Sequence, residues 1–231
     1  MSERLDDTRA RIKKIEQAVG DGTYEPGPWA ALLRELEVLP RADRRALAVD
    51  VTQASNALHR RAGHPEKGVA AGVALEIGAT VAATALLIGG AETGSNALTL
   101  GGATLLATVA QPLVKLAIGT LLGVRYAYAF LLVLEPRFKM KYGTYLALPR
   151  WARVVYHLGG TIGTPLALAW VATREASPTL TAAICTVLAL ISGGANVSFF
   201  VAAARGARKL GPLRLSTTSG GRAGQELRAS A

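Results

Sequence analysis

One carboxylate stands inside a stretch that is otherwise apolar and small: Glu76, in GVALEIGATVAATALLIGG at residues 72–90. A charged side chain in hydrocarbon costs several kcal/mol, roughly, so the group must be neutral, paired or hydrated. Gly68, Gly72 and Glu76 are spaced four apart, and Ala79, Thr80 and Ala83 extend the same helical face. The acid therefore lies on a seam of small residues, aimed at another helix rather than at lipid.

A few other polar groups sit inside apolar runs. Gln111 and Lys115 fall four apart in the second run. His157 shares a face with Gly160, Thr161 and Thr164, beside the GxxxG of Gly159–Gly163. Ser192 and Asn196 lie in the last run. Counting about 1.5 Å per residue from one end of the bundle, Glu76 lies about 12 Å deep and His157 about 5–8 Å deep. A cluster of Glu76, Gln111, Lys115, His157, Ser192 and Asn196 is thus geometrically allowed. Two chemistries fit it. In one, Glu76 titrates against His157 or Lys115, with Asn196 as a hydrogen-bond donor, and the cluster carries a proton or a small substrate. In the other, Glu76 is bonded to hydroxyls as packing glue and His157 sits at the interface.

A second set is basic. Arg137, Lys139, Lys141, Arg150 and Arg153 are interleaved with Tyr126, Tyr128, Tyr142, Tyr145, Trp151 and Tyr156. Tyr and Trp prefer the membrane–water boundary, and cations there attract anionic headgroups, so this set predicts lipid-headgroup contact. Catalytic signatures are missing: the chain has no GxSxG, HExxH or GxxxxGK[ST]. A single cysteine, Cys185, and three scattered histidines give no metal-ligand pattern. No cofactor and no metal are expected.

The six residues LEIGAT, 75–80, resemble the first span of small multidrug-resistance exporters, which carry a lone Glu among small residues in a four-span chain. That resemblance implies proton-coupled export through Glu76. It covers only these residues: the later spans lack the aromatic positions of those exporters, and the basic N-terminal segment has no counterpart in them.

The elements that must position these groups read as follows. Half of the 231 residues are hydrophobic and only 18% are charged, a balance that excludes an ordinary soluble domain. Leu5, Thr8, Ile12, Ile15 and Val19 form one helical stripe. GDGTYEPGP ends that helix, WAALLRELEVL makes a second, and Leu47, Val51, Ala54 and Leu58 share a face in a third. Residues 1–66 are thus predicted to be a small cytoplasmic helical domain. Residues 67–204 are predicted to cross the membrane four times, at about 68–90, once within 97–134, at 154–173 and at 179–204. The 97–134 stretch has two solutions. Either 97–117 crosses and a kinked helix runs on along the surface, or 97–111 is re-entrant and 113–134 crosses. The tail, 205–231, is basic and poor in apolar surface and is predicted to be disordered.

Lys and Arg set the orientation. Residues 1–67 hold 12 of them, and the tail holds 6 against one acid. Four spans place the N-domain, the 135–153 connector and the tail in one compartment, the cytoplasm. The fold class expected is therefore an all-α, polytopic integral membrane protein, in a bacterial inner membrane on compositional grounds. Its expected partners are anionic lipid headgroups, a cytoplasmic protein docked on residues 1–66, and further copies of the chain, with no nucleic acid. The leading functional expectation is a non-enzymatic docking or assembly component. The alternatives are a small proton-coupled transporter or channel subunit using Glu76, and a lipid-modifying enzyme at the cytoplasmic surface.

Overall fold

The computed structural model describes residues 3–132, 135–174 and 180–228. The chain is mostly helical. Four helices are long and apolar enough to cross a membrane: α5 (Val69–Thr93), α6 (Asn96–Leu121), α8 (Arg150–Arg174) and α9 (Leu180–Ala204). Large apolar side chains on α5 and α9 face outward, among them Val81 at 64% exposure and Leu190 at 70%. Continuous apolar surface of that kind marks a lipid-facing helix rather than a soluble one.

Backbones approach closely where the sequence is small. A methyl group added to Gly163 of α8 would lie 2.7 Å from the Ala110 carbonyl oxygen of α6, and one on Gly102 would lie 2.8 Å from the Ala83 carbonyl of α5. Without a hydrophobic drive between helices in lipid, such contact supplies the packing energy. The α5–α6 turn uses Gly94 at φ +68°, and Ser95 caps α6 by accepting from Leu98 N. Thr164 Oγ1 donates to the Ala107 carbonyl at 2.9 Å and ties α8 to α6.

The other elements gather at one end of this bundle, its base. Helices α1 (Glu3–Gly20), α2 (Pro28–Val38), α3 (Arg41–Ala46) and α4 (Ala48–Arg60) precede the spans. Their apolar stripes do not end in a separate core. Ile12, Leu32, Leu36, Leu47 and Val51 pack in one cluster with Val124, Leu146, Ala152 and Tyr156 from the connector and α8. Burying each large side chain fully is worth about 1.5–3 kcal/mol, so the cap and the base of the bundle stabilise one another.

The second span is α6, ending at Leu121. This agrees with the first solution for 97–134 as far as the crossing goes, and it corrects both solutions beyond it. Among the described residues no helix directly continues α6, and residues 126–132 are a strand rather than part of a span. Gly123, at φ +93°, turns the chain into β2 (Tyr126–Leu132), which pairs antiparallel with β3 (Glu135–Met140). A two-residue strand β1 (Glu66–Lys67) pairs with β2, in the sheet order β1-β2-β3. The all-α expectation therefore holds for the bulk of the chain and fails at the base. The sequence YAYAFLL is rich in aromatic residues and alternates sides, which suits a strand. A short helix, α7 (Tyr142–Leu146), links the sheet to α8.

The tail also departs from expectation. Residues 205–228 form a hairpin of β4 (Lys209–Leu210) and β5 (Leu213–Arg214), a 3-10 turn at Leu215–Thr217, and α10 (Ser219–Arg228). Apolar area does not hold α10. Its glycines let backbones touch: Gly220 meets the Asn196 carbonyl, and Gly224 meets Phe200 and Ala204 of α9. Glu226 then forms an ion pair with Arg153 of α8 at 3.1 Å.

Candidate functional site

The base encloses a cavity of about 870 Å³. It is bounded by α6, α8 and α9 of the bundle, by α2 and α4 of the cap, by the β2–β3 hairpin, and by the start of α10. Four of the six residues expected to cluster line it: Gln111, Lys115, His157 and Asn196. Asn196 Nδ2 donates to the Ser192 carbonyl at 3.0 Å, which leaves Ser192 one turn farther along α9 and outside the lining. Glu76 is fully buried on α5, but it is not part of this cavity. Thr80 Oγ1 donates to the Glu76 carbonyl at 2.8 Å, within the same helix.

The five basic connector residues divide. Arg137 and Lys139 line the cavity, whereas Lys141 and Arg150 lie outside it. Arg153 is 1% exposed and pairs with Glu226, so it does not reach a headgroup at the surface. Its position on the inward face of α8 explains this, since Tyr156, His157 and Gly160 follow on the same side. Arg222 of α10 joins the lining. Reading the tail as unstructured hid this residue. The one signal available was the hydroxyl-rich STTSGGR at 216–222, a capping pattern ahead of a short helix.

Cations exceed acids on the walls. Lys115, Arg137, Lys139 and Arg222 face Glu37 and Glu226. Of the two acids, Glu226 is paired with Arg153, and Glu37 is pushed up by burial and then by the Glu226 charge, toward its neutral form. Lys139 donates to Ser55 Oγ at 2.8 Å, and burial lowers it to about 8. It is therefore still charged at neutral pH, with little solvation around it. Lys115 Nζ stands 5.2 Å over the Tyr156 ring, a cation–π distance. His59, lowered by burial and by Lys139, is a neutral ring at the cap side, and Tyr128 meets its Nδ1 at 2.9 Å.

One hydrogen-bond chain backs the cavity. The Tyr145 hydroxyl donates to Glu226 Oε1 at 2.7 Å and lies 2.8 Å from His157 Nε2. Burial, then Glu226, pushes the Tyr145 phenol well above its ordinary value, so it keeps its proton. With that proton given to the carboxylate, the phenol oxygen can only accept from the ring. His157 is then assigned its N–H at Nε2 and its lone pair at Nδ1. No metal-holding group of three or more His, Cys, Asp or Glu occurs among the described residues.

No family model matches the chain, and no curated protein or solved structure matches it. The fold and the site define a class by themselves: a multi-pass helical membrane protein with a cavity at one end of its bundle whose charged lining is predominantly basic.

Proposed function

We propose that this is a membrane protein that binds a small anion or an anionic headgroup in its basal cavity. One observation carries the reading. Lys115 from α6, Arg137 and Lys139 from β3, and Arg222 from α10 are packed around one space, so three elements converge four cations on it. A space faced by four cations has a positive potential that favours an anion there. The Lys- and Arg-rich base is read as the cytoplasmic end, so the ligand would enter from the inner leaflet or the cytoplasm.

Docking of a protein partner on residues 1–66 draws less support. The apolar faces of α1, α2 and α4 are used in the core they share with the connector and α8. Proton transfer through Glu76 rests on the burial of that acid alone, apart from the cavity.

The test is calorimetric titration of the detergent-purified full chain with orthophosphate. An Arg137→Gln/Lys139→Gln variant should bind about tenfold more weakly, a loss of about 1.4 kcal/mol. Glu76→Gln should bind as the parent does. Equal affinity in the double variant, or no heat in the parent, removes the reading.

A further inference from the structure

The start of α10 is an unusual place for a helix N-terminus. Ser219 Oγ lies 2.8 Å from where a Cβ on Gly160 would stand, and Lys115 Cδ lies 3.1 Å from the same point. Gly160 is about 15 Å along α8 from Arg150, at ~1.5 Å per residue. The tail therefore climbs into the bundle before α10 descends along α9. Thr218 caps the helix: its Oγ1 accepts from Gly221 N at 3.1 Å, and its carbonyl accepts from Arg222 N at 3.0 Å. Helix geometry leaves the Ser219 and Gly220 N–H groups without intrahelical acceptors, at the helix end whose Ser219 lines the cavity. Ser216, Thr217, Ser219 and Arg222 line the cavity beside them.

A second observation is independent of that helix. His157 is 2% exposed, and its Nδ1 has no hydrogen-bond partner among the described residues. Its Nε2 is taken by Tyr145, so Nδ1 is the ring atom left for whatever occupies the cavity that His157 lines. A buried lone pair without a donor is destabilising, and the cavity occupant is the group placed to supply that donor.

Resting on the reading of the cavity as an anion site, we infer that its ligand is a phosphate group accompanied by an O–H donor. The phosphate oxygens sit at the α10 N-terminus with Ser219, Lys115 and Arg222, and the O–H donates to His157 Nδ1. Two sources share this chemistry: orthophosphate, whose own P–OH is the donor, and a phosphoglycerol headgroup, whose glycerol hydroxyl is. Sulfate has the same shape and charge but no proton at neutral pH, so a neutral imidazole acceptor discriminates against it.

The experiment compares phosphate with sulfate at equal ionic strength on the full chain in detergent. The parent should bind phosphate about tenfold more tightly than sulfate. His157→Phe should bring that ratio to about one, and Arg222→Gln should weaken both anions about tenfold, with Ser219→Ala as a smaller change if Arg222→Gln fails to fold. Equal affinity for the two anions in the parent, or undiminished binding in Arg222→Gln and Ser219→Ala, overturns this inference; the broader anion reading survives if Lys139→Gln still weakens both. A parent that binds neither anion overturns both together. Nanodiscs of phosphatidylglycerol against phosphatidylcholine assign the source. Competition with orthophosphate by the first alone supports a headgroup, and phosphate binding without that competition supports the free anion.

Discussion

Arg153 and Glu226 show how much a single residue can depend on a partner far away in sequence. Arg153 is 1% exposed, and its guanidinium is ion-paired with a carboxylate from the tail. Removing one member of a buried pair leaves an uncompensated charge, at a cost of about 3–5 kcal/mol, whereas replacing both by apolar residues is often neutral. Glu226→Ala should therefore lower the thermal midpoint sharply, and Arg153→Met/Glu226→Met should recover most of the loss. A double variant no more stable than the single one would mean that the pair is not what holds α10. Lys139 gives a prediction in pH. Its folded value, about 8, lies below the ordinary 10.5 because of burial. The native state thus binds this proton less tightly than the unfolded chain, so the Lys139 contribution to stability rises with pH between about 8 and 10.5. Anion affinity has the opposite slope, falling as pH climbs past about 8 and the charge is lost. Titrations with phosphate across that range should show the fall in the parent and a flat profile in Lys139→Gln.

Among elements, the α6–α8 crossing offers a direct test of packing. A Cβ at Gly163 would lie 2.7 Å from both the Ala110 oxygen and Gln111 Cα, atoms of a helix backbone that cannot step aside. Gly163→Ala is expected to destabilise by about 1–3 kcal/mol, read from thermal unfolding in detergent. Gly78 on α5 has nothing within 4 Å of its would-be Cβ, so Gly78→Ala should stay within about 0.5 kcal/mol of the parent. Equal effects at the two sites would mean that the α6–α8 contact is looser than described. The same element scale explains α10. A ten-residue helix with few apolar side chains would not hold on area alone. It holds because Gly220 and Gly224 bring its backbone onto α9 while Glu226 pairs with a buried cation.

For the whole molecule, the cap, the sheet and the tail all belong to the base, and the turn at Gly94 lies at the opposite end of the bundle. In a Cys185→Ala background, single cysteines at Gly63 and Gly211 should react with an impermeant maleimide from the same side, and one at Gly94 from the other. Labelling of Gly63 and Gly211 from opposite sides would break the four-span topology. Hydropathy and the small-residue pattern made the spans legible, because crossing about 30 Å of hydrocarbon demands long apolar helices whatever their neighbours are. The pattern of basic residues likewise put the polar segments at one end. The β2–β3 hairpin was not legible, since YAYAFLLVL is as apolar as a span and only its aromatic, alternating character sets it apart. Nor was α10, whose hold on the bundle comes from backbone contact and one ion pair. The cluster was partly legible: depth along the spans grouped Gln111, Lys115, His157 and Asn196 near one end of the bundle. Which faces share a space is set by helix crossing and rotation, and on that Glu76 and Ser192 parted from the other four. The amino-acid order by itself determined how many apolar helices there are and which end is basic, because solvation acts on each segment alone. The tertiary structure alone decided that Arg222 and Glu226 belong to the site, because only packing brings residues so distant along the chain within reach of one cavity.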